Sequence, residues 1–245
     1  MSQLTLSFFC AALFLISVLY SCVGQAGASG YIAAMALFGF APAAIKPTAL
    51  VLNVLVSAVV SLRFYRAGYF SRQLFWPLAL ASVPAALLGG CLTLPTRMFN
   101  FLLGALLLVG AIPFVFNRKA VEDSVAPPRL PLALLAGGGV GLLSGLTGVG
   151  GGVLITPLLL HRRWAHAKPA AAVSAVFILV NSVSALIGHL SVARSLPSGL
   201  PLYACAAILG GALGSQLGSA HLSASAVHRL LGVILLIAGL KLLLA

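Results

Sequence analysis

The sequence predicts an all-α, polytopic membrane protein with about eight to ten transmembrane segments in two homologous repeats. Of its 245 residues, 61% are hydrophobic and only 7% are charged, too little charge to cover the surface of a soluble domain. Apolar runs of membrane-spanning length recur from end to end. Glycines cluster within these runs, which predicts broken, glycine-rich helices.

A polar linker at residues 117–131 divides ten apolar segments into five and five. It carries Glu122 and Asp123, the two acidic residues of the chain. The segments are predicted at about 4–22, 28–44, 46–63, 74–93, 98–116, 132–147, 149–161, 168–190, 200–219 and 226–244. We therefore divide the chain into a first membrane repeat at 1–116, the linker, and a second membrane repeat at 132–245.

Short matches in the same order relate the two halves of the sequence. Residues 24–30 align with residues 145–151, Lys46-Pro47 aligns with Lys168-Pro169, and Leu102-Leu103-Gly104 aligns with Leu230-Leu231-Gly232. Five segments per half is an odd number, so the second repeat is expected to be inverted. Broken segments at corresponding places in two halves are typical of transporters whose binding site lies at the repeat interface.

The basic residues favour this inverted arrangement. If all ten segments cross and the N-terminus is outside, the inner turns hold ten of the 14 basic residues, as the positive-inside rule requires. If 28–44 and 149–161 are instead re-entrant and the N-terminus is inside, the division is eight against six. The first arrangement fits better. A half-helix at 149–161 stays open, because that segment spans only about 20 Å of a roughly 30 Å core.

Residues 145–152 are the main candidate for a solute site. Glycine occupies five of these eight positions, and each glycine costs roughly 1 kcal/mol relative to alanine inside a helix. Unwound backbone at membrane depth is tolerated only where it is buried in protein or lines a cavity. We interpret this stretch as a helix break at a solute site. Close helix packing through small residues is the alternative.

An anionic solute fits the residues available for binding. The predicted spanning segments contain no acidic residue, which disfavours a carboxylate proton relay or a cation site. A glycine break can instead present the N–H groups and the positive end of a helix N-terminus to an oxyanion. The predicted solute-binding residues are Gly27, Ser29, Gly30, Asn53, Thr147, Gly148, Gly150, Gly151, Gly152, Thr156 and Asn181. For the two asparagines, an interhelical hydrogen bond is the alternative role.

Other polar residues of the chain favour less specific roles. Lys46 and Lys168 each precede a proline, which suits an interfacial anchor at a helix start, with attraction of an anion as the alternative. The histidines and cysteines lack metal-ligand spacing, so no metal or cofactor is expected. Catalysis would need paired acid and base groups, so we expect no enzyme. The net charge of +12 is scattered over turns and predicts no nucleic-acid partner.

Two stretches carry a resemblance to a known family. Residues 141–160, GLLSGLTGVGGGVLITPLLL, resemble the signature of the TauE/SafE family of sulfite-exporter-like membrane permeases, and residues 46–57, KPTALVLNVLVS, resemble its first repeat. The resemblance covers nearly the whole chain. It implies a multi-pass permease of the bacterial inner membrane that moves a small anion such as sulfite, a sulfonate or another organosulfur acid.

A second functional class stays open at this point. The protein could be a membrane-embedded accessory or assembly protein that transports nothing, in which case the glycine-rich helices would only pack. The expected partners are a small anionic solute and the lipid bilayer, and the sequence leaves a homo-oligomer open.

Overall fold

A computed structural model describes residues 3–115, 125–192 and 199–220, together with 236, 239, 240 and 243. Within these ranges the chain forms helices and connecting turns, without a strand. The helices are α1 (Gln3–Cys22), α2 (Ala28–Leu37), α3 (Pro42–Arg66), α4 (Arg72–Cys91), α5 (Thr96–Val115), α6 (Leu130–Thr147), α7 (Gly152–His161), α8 (Ala167–Val192) and α9 (Leu200–Ala220). The predicted segment at 226–244 and most of the predicted linker lie outside the described residues.

Six of these helices are long and apolar enough to cross a membrane, namely α1, α3, α4, α6, α8 and α9. They confirm the prediction of a polytopic helical membrane protein. The helices α2 and α7 have 10 residues each, and their length of about 15 Å covers half of the hydrocarbon core. The predicted segment 28–44 is thus divided between two helices. The chain turns at Gly39, where φ is 76°, and Pro42 then starts α3 because proline suits the first helical turn.

The first short helix folds back along the helix that precedes it. Ser29 in α2 donates a hydrogen bond of 2.9 Å to the hydroxyl of Tyr20 near the end of α1. Further down, the ring of Phe38 packs 5.2 Å from the ring of Phe9 near the start of α1. The two helices therefore form an antiparallel hairpin whose tip is the turn at residues 23–27.

Glycines bring two pairs of helices into close parallel contact. Along α6, a Cβ atom at Gly137, Gly141 or Gly145 would overlap the carbonyl of Leu78, Ser82 or Ala86 in α4. Along α9, a Cβ atom at Gly210, Gly214 or Gly218 would overlap the carbonyl of Phe14, Val18 or Cys22 in α1. Residue numbers rise together in both pairs, so the helices are parallel. Small residues at every fourth position allow such close backbone approach in membranes.

The remaining contacts fix the directions of the other long helices. Ser184 in α8 donates to the carbonyl of Val83 in α4, and Gly188 lies one turn on against Leu87, so α4 and α8 are parallel. Because α6 and α8 both run parallel to α4, the segment containing α7 must return the chain to its starting end. Asn53 and Leu50 of α3 lie against Ser182 and Ala185 of α8, which makes α3 and α8 antiparallel. These directions are the ones that two inverted repeats require, and the repeat itself stays a prediction.

Three turns meet at one end of the bundle. The backbone N–H of Ala126 donates to the carbonyl of Arg163 at 3.1 Å, and Lys168 Nζ lies 3.0 Å from the hydroxyl of Tyr69. Ser71, Val125 and Trp164 line a common cavity of about 160 Å³. The ten-crossing arrangement places these turns together, whereas the re-entrant alternative places the turn at 161–168 at the opposite end.

Candidate functional site

The tip of the α1–α2 hairpin depends on two glycines in the left-handed region. Gly24 has a φ of 77° and Gly27 has a φ of 99°, conformations that side chains with a Cβ atom rarely adopt. The backbone N–H groups of Gly24 and Gln25 donate to the carbonyls of Ser21 and Tyr20, which closes the end of α1. The helix α2 then begins at Ala28 without a side-chain cap, so its first N–H groups have no partner within the helix.

The turn between α6 and α7 has the same features. Gly148, Gly150 and Gly151 have φ values of 80°, 74° and 80°. The backbone N–H of Gly148 donates to the carbonyl of Ser144 at 2.8 Å and closes the end of α6. The helix α7 begins at Gly152, again without a side-chain cap. The predicted helix break is therefore present, and it produces a second uncapped helix N-terminus.

Both turns contribute to one small buried cavity. Its volume is about 10 Å³, room for roughly one water molecule. The lining includes the start of α2, the start of α7 and the middle of α3 and α8. The lining residues are Tyr20, Gln25, Ala26, Gly27, Ala28, Ser29, Asn53, Val149, Gly152, Val153 and Ile178. Two helix N-termini thus face a single cavity, and none of these lining side chains carries a charge.

The cavity contains buried side-chain amides that lack partners among the described residues. Gln25 is 1% exposed, and neither its Nε2 nor its Oε1 has a hydrogen-bond partner there. The same holds for Oδ1 of Asn53, whereas Nδ2 of that residue donates to the hydroxyl of Ser182 at 3.3 Å. A buried polar group without a hydrogen bond costs about 1–3 kcal/mol. A polar solute or a water molecule in the cavity would remove this cost.

Five of the predicted site residues lie at the cavity. Gly27, Ser29, Asn53 and Gly152 line it, and Gly150 lies directly behind the amide of Asn53, which an added Cβ atom would overlap. The hydroxyl of Ser29 already donates to Tyr20, so its backbone N–H, at the start of α2, is the group left for a solute.

The other predicted residues are not part of the cavity lining. Each polar side chain among them makes a hydrogen bond, but Oδ1 of Asn181 is buried without a partner among the described residues. Thr147 donates to the carbonyl of Leu143, Thr156 donates to Ser174, and the Nδ2 of Asn181 donates to the carbonyl of Phe177. Gly30, Gly148 and Gly151 pack against Ile16, Lys46 and Phe177, respectively. A role for these six residues in binding solute stays a prediction.

Sequence reasoning missed two polar residues of the lining, Tyr20 and Gln25. Gln25 lies between Gly24 and Gly27, inside the stretch that aligns with residues 145–151. A polar side chain within a glycine-rich break could have drawn attention to it. The sequence does not reveal that this side chain is buried, because the second turn, from the distant half of the chain, covers it.

Lys46 was expected to be an interfacial anchor at a helix start or to attract an anion, and the structure gives it another role. It is 8% exposed, and its Nζ donates to the carbonyls of Gly89, Gly90 and Leu92 at 3.1, 3.2 and 3.1 Å. These carbonyls form the C-terminal end of α4, where a cation stabilises the negative end of the helix dipole. Lys168 is exposed and lies over the ring of Tyr69. Lys46 therefore anchors α4 to α3.

Comparison with known proteins agrees with this fold. A family model described as "Sulfite exporter TauE/SafE" matches residues 9–242. A protein of Sinorhizobium fredii named "Probable membrane transporter protein y4hK" is 45% identical over 236 residues, covering 95% of this chain and 96% of that protein. No solved structure matches the chain significantly. With its multi-pass helical fold and a match over nearly its full length, the chain belongs to the TauE/SafE family of membrane transporters.

Proposed function

We propose that this protein is a permease that moves a small oxyanion across the bacterial inner membrane. The description of the matching family model names sulfite, and a sulfonate or another organosulfur acid would present a similar oxyanion group. The anion would bind between the N-termini of α2 and α7, with Gln25 and Asn53 beside it. The proposed bacterial inner membrane is consistent with the source of the 45% identical relative.

The observation that carries this proposal is the convergence of two uncapped helix N-termini on one buried cavity. Unpaired N–H groups and the positive end of the dipole make a helix N-terminus a ready anion site. The unpartnered amide of Gln25 is a second and independent sign of a polar ligand. A purely structural packing of small residues would need neither feature.

Transport would require the two glycine-containing turns, at residues 23–27 and 148–151, to move apart. A cavity of about 10 Å³ holds one water molecule and is too small for an oxyanion of four or more heavy atoms. The first turn belongs to the first half of the chain and the second turn to the second half. Separation of the halves around a fixed site is the usual form of alternating access in repeat transporters.

Sulfite flux into liposomes containing the purified full-length protein tests the proposal. We expect flux in the wild type and its loss in Gly152→Ala, because the added methyl group would overlap Ile178 and reach toward the Gln25 side chain. The matched control is Gly139→Ala, since Gly139 has no neighbour within 4 Å of an added Cβ atom. Absence of flux for sulfite and a broad panel of anions, with folded protein, would instead support an accessory role.

A further inference from the structure

The central cavity also indicates which anions it can accept, and this inference rests on the proposed function. We propose that the site selects a monovalent oxyanion that carries a hydrogen-bond donor, and that Gln25 is the residue that reads this donor. Fully deprotonated dianions and monoanions without a donor would be poor solutes. Two independent features of the cavity, its charge and its hydrogen-bonding groups, lead to this conclusion.

The positive potential at the cavity matches one negative charge. Each helix N-terminus contributes about half an elementary positive charge, and α2 and α7 both begin at the cavity. At the opposing ends of α1 and α6, the carbonyls of Tyr20 and Ser144 accept hydrogen bonds from the turn residues Gln25 and Gly148, which weakens the negative potential there. A monoanion is therefore neutralised, whereas a dianion would keep one uncompensated charge in a buried site.

Among the described residues, no charged side chain lines the cavity and adds to the charge of the two helix N-termini. The lining side chains are neutral. Lys46 contacts the second turn, since its backbone and side chain lie against Gly148. Its ammonium group, however, donates to the carbonyls of Gly89, Gly90 and Leu92 at the end of α4, where the helix dipole is negative. That local partner offsets much of its charge.

The amide of Gln25 requires a ligand with both kinds of hydrogen-bonding group. One atom of a carboxamide donates and the other accepts, and both atoms of this side chain are buried without a partner among the described residues. This requirement is independent of how the amide is oriented. An oxyanion oxygen can accept from Nε2. Only a ligand with an O–H or N–H group can also donate to Oε1, and a ligand without one leaves that acceptor buried and unsatisfied.

Four anions in two size-matched pairs separate charge from hydrogen bonding. Methanesulfonate and sulfate have similar size but one and two negative charges. Hydroxymethanesulfonate and ethanesulfonate differ by a hydroxyl in place of a methyl group. In liposomes containing the full chain, we expect methanesulfonate to be carried about a hundredfold faster than sulfate. Hydroxymethanesulfonate should be carried about tenfold faster than ethanesulfonate.

The variant Gln25→Met tests whether Gln25 causes the preference for hydroxymethanesulfonate over ethanesulfonate. Methionine keeps the shape of the side chain and removes both polar atoms. We expect the hydroxyl preference to fall to about onefold, while the preference for methanesulfonate over sulfate is kept. The control Thr48→Val removes a buried hydroxyl in α3 that donates to the carbonyl of Ala44 and is not part of the cavity lining. Both preferences should survive in this control.

Several results would overturn the inference. Equal transport of sulfate and methanesulfonate by the wild type contradicts the charge argument, and a wild-type hydroxyl preference near onefold contradicts the role of Gln25 even if the variant fails to fold. If Gln25→Met lowers the transport rates of hydroxymethanesulfonate and ethanesulfonate by the same factor, Gln25 has a structural role and does not recognise the donor. Sulfite flux without transport of any of the four anions also refutes this selectivity while leaving the proposed function intact. Absence of sulfite flux as well would refute the proposed function.

Discussion

The side-chain amide of Asn53 donates a hydrogen bond of 3.3 Å to the hydroxyl of Ser182, which joins the middle of α3 to the middle of α8. The two helices belong to different halves of the chain and run antiparallel. Gly150, in the turn between α6 and α7, lies directly against the same amide. One side chain thus contacts the other long central helix and this turn at the edge of the cavity.

We expect Asn53→Leu to abolish most anion transport while the protein still inserts and folds. Leucine has a similar volume, but it removes the bond to Ser182 and the unpartnered Oδ1 at the cavity. The measurement is flux in liposomes, normalised to folded protein. Asn181→Leu is the comparison variant, because Asn181 also has a buried Oδ1 without a partner among the described residues but is not part of the cavity lining. Equal losses in the two variants would contradict the assignment of Asn53 to the site.

We expect Gly141→Ala to destabilise the protein by about 1–3 kcal/mol, as overpacking of a tight interface does. Its methyl group would overlap the carbonyl of Ser82, which is backbone and cannot rotate away. Thermal unfolding in detergent measures the effect. Gly138→Ala, where the closest new neighbour is the Cβ atom of Ala81 at 3.6 Å, should leave the unfolding temperature nearly unchanged. A harmless Gly141→Ala would show that α4 and α6 are not in such close contact.

We expect Lys46→Met to lower the free energy of unfolding by about 2 kcal/mol. The change leaves three carbonyls at the end of α4 without their donor. Lys168→Met should cost less than about 1 kcal/mol, because Lys168 is exposed and surface interactions contribute little. Thermal unfolding of the two variants side by side compares their losses of stability. A larger loss of stability in Lys168→Met would reverse the roles given to the two lysines.

Cysteines introduced singly at Ser71 and Ala165 should share the same accessibility in intact cells, because both residues line the cavity at one end of the bundle. The basic residues in these turns predict that this end is cytoplasmic, so both cysteines should resist a membrane-impermeant thiol reagent in a background without native cysteines. A third predicted position, Ser124, lies outside the described residues. Labelling of one cysteine and protection of the other would contradict the arrangement of the turns.

The sequence was sufficient to predict the membrane class, the positions of eight of the nine described helices within a few residues, and the helix break before α7. These features depend on local patterns, namely apolar length, glycine and proline. The predicted segment 28–44 was wrong at its end, because α2 stops at Leu37 and α3 already begins at Pro42.

The sequence did not reveal the partners of Thr147 and Thr156, whose hydroxyls donate to the carbonyl of Leu143 and to the hydroxyl of Ser174; their role in binding solute stays a prediction. Gln25 is a further case, because its burial depends on a turn more than 120 positions away along the chain.

The location of a bound anion tests the central claim most directly. Selenite is the selenium analogue of sulfite, and its monoanion carries an O–H group. Crystals of the full-length protein grown with selenite at a pH where the monoanion predominates would reveal selenium by anomalous scattering. Our account predicts a selenium peak between the N-termini of α2 and α7, beside Gln25 and Asn53. A peak only elsewhere, such as at the basic end near Arg72, would contradict it.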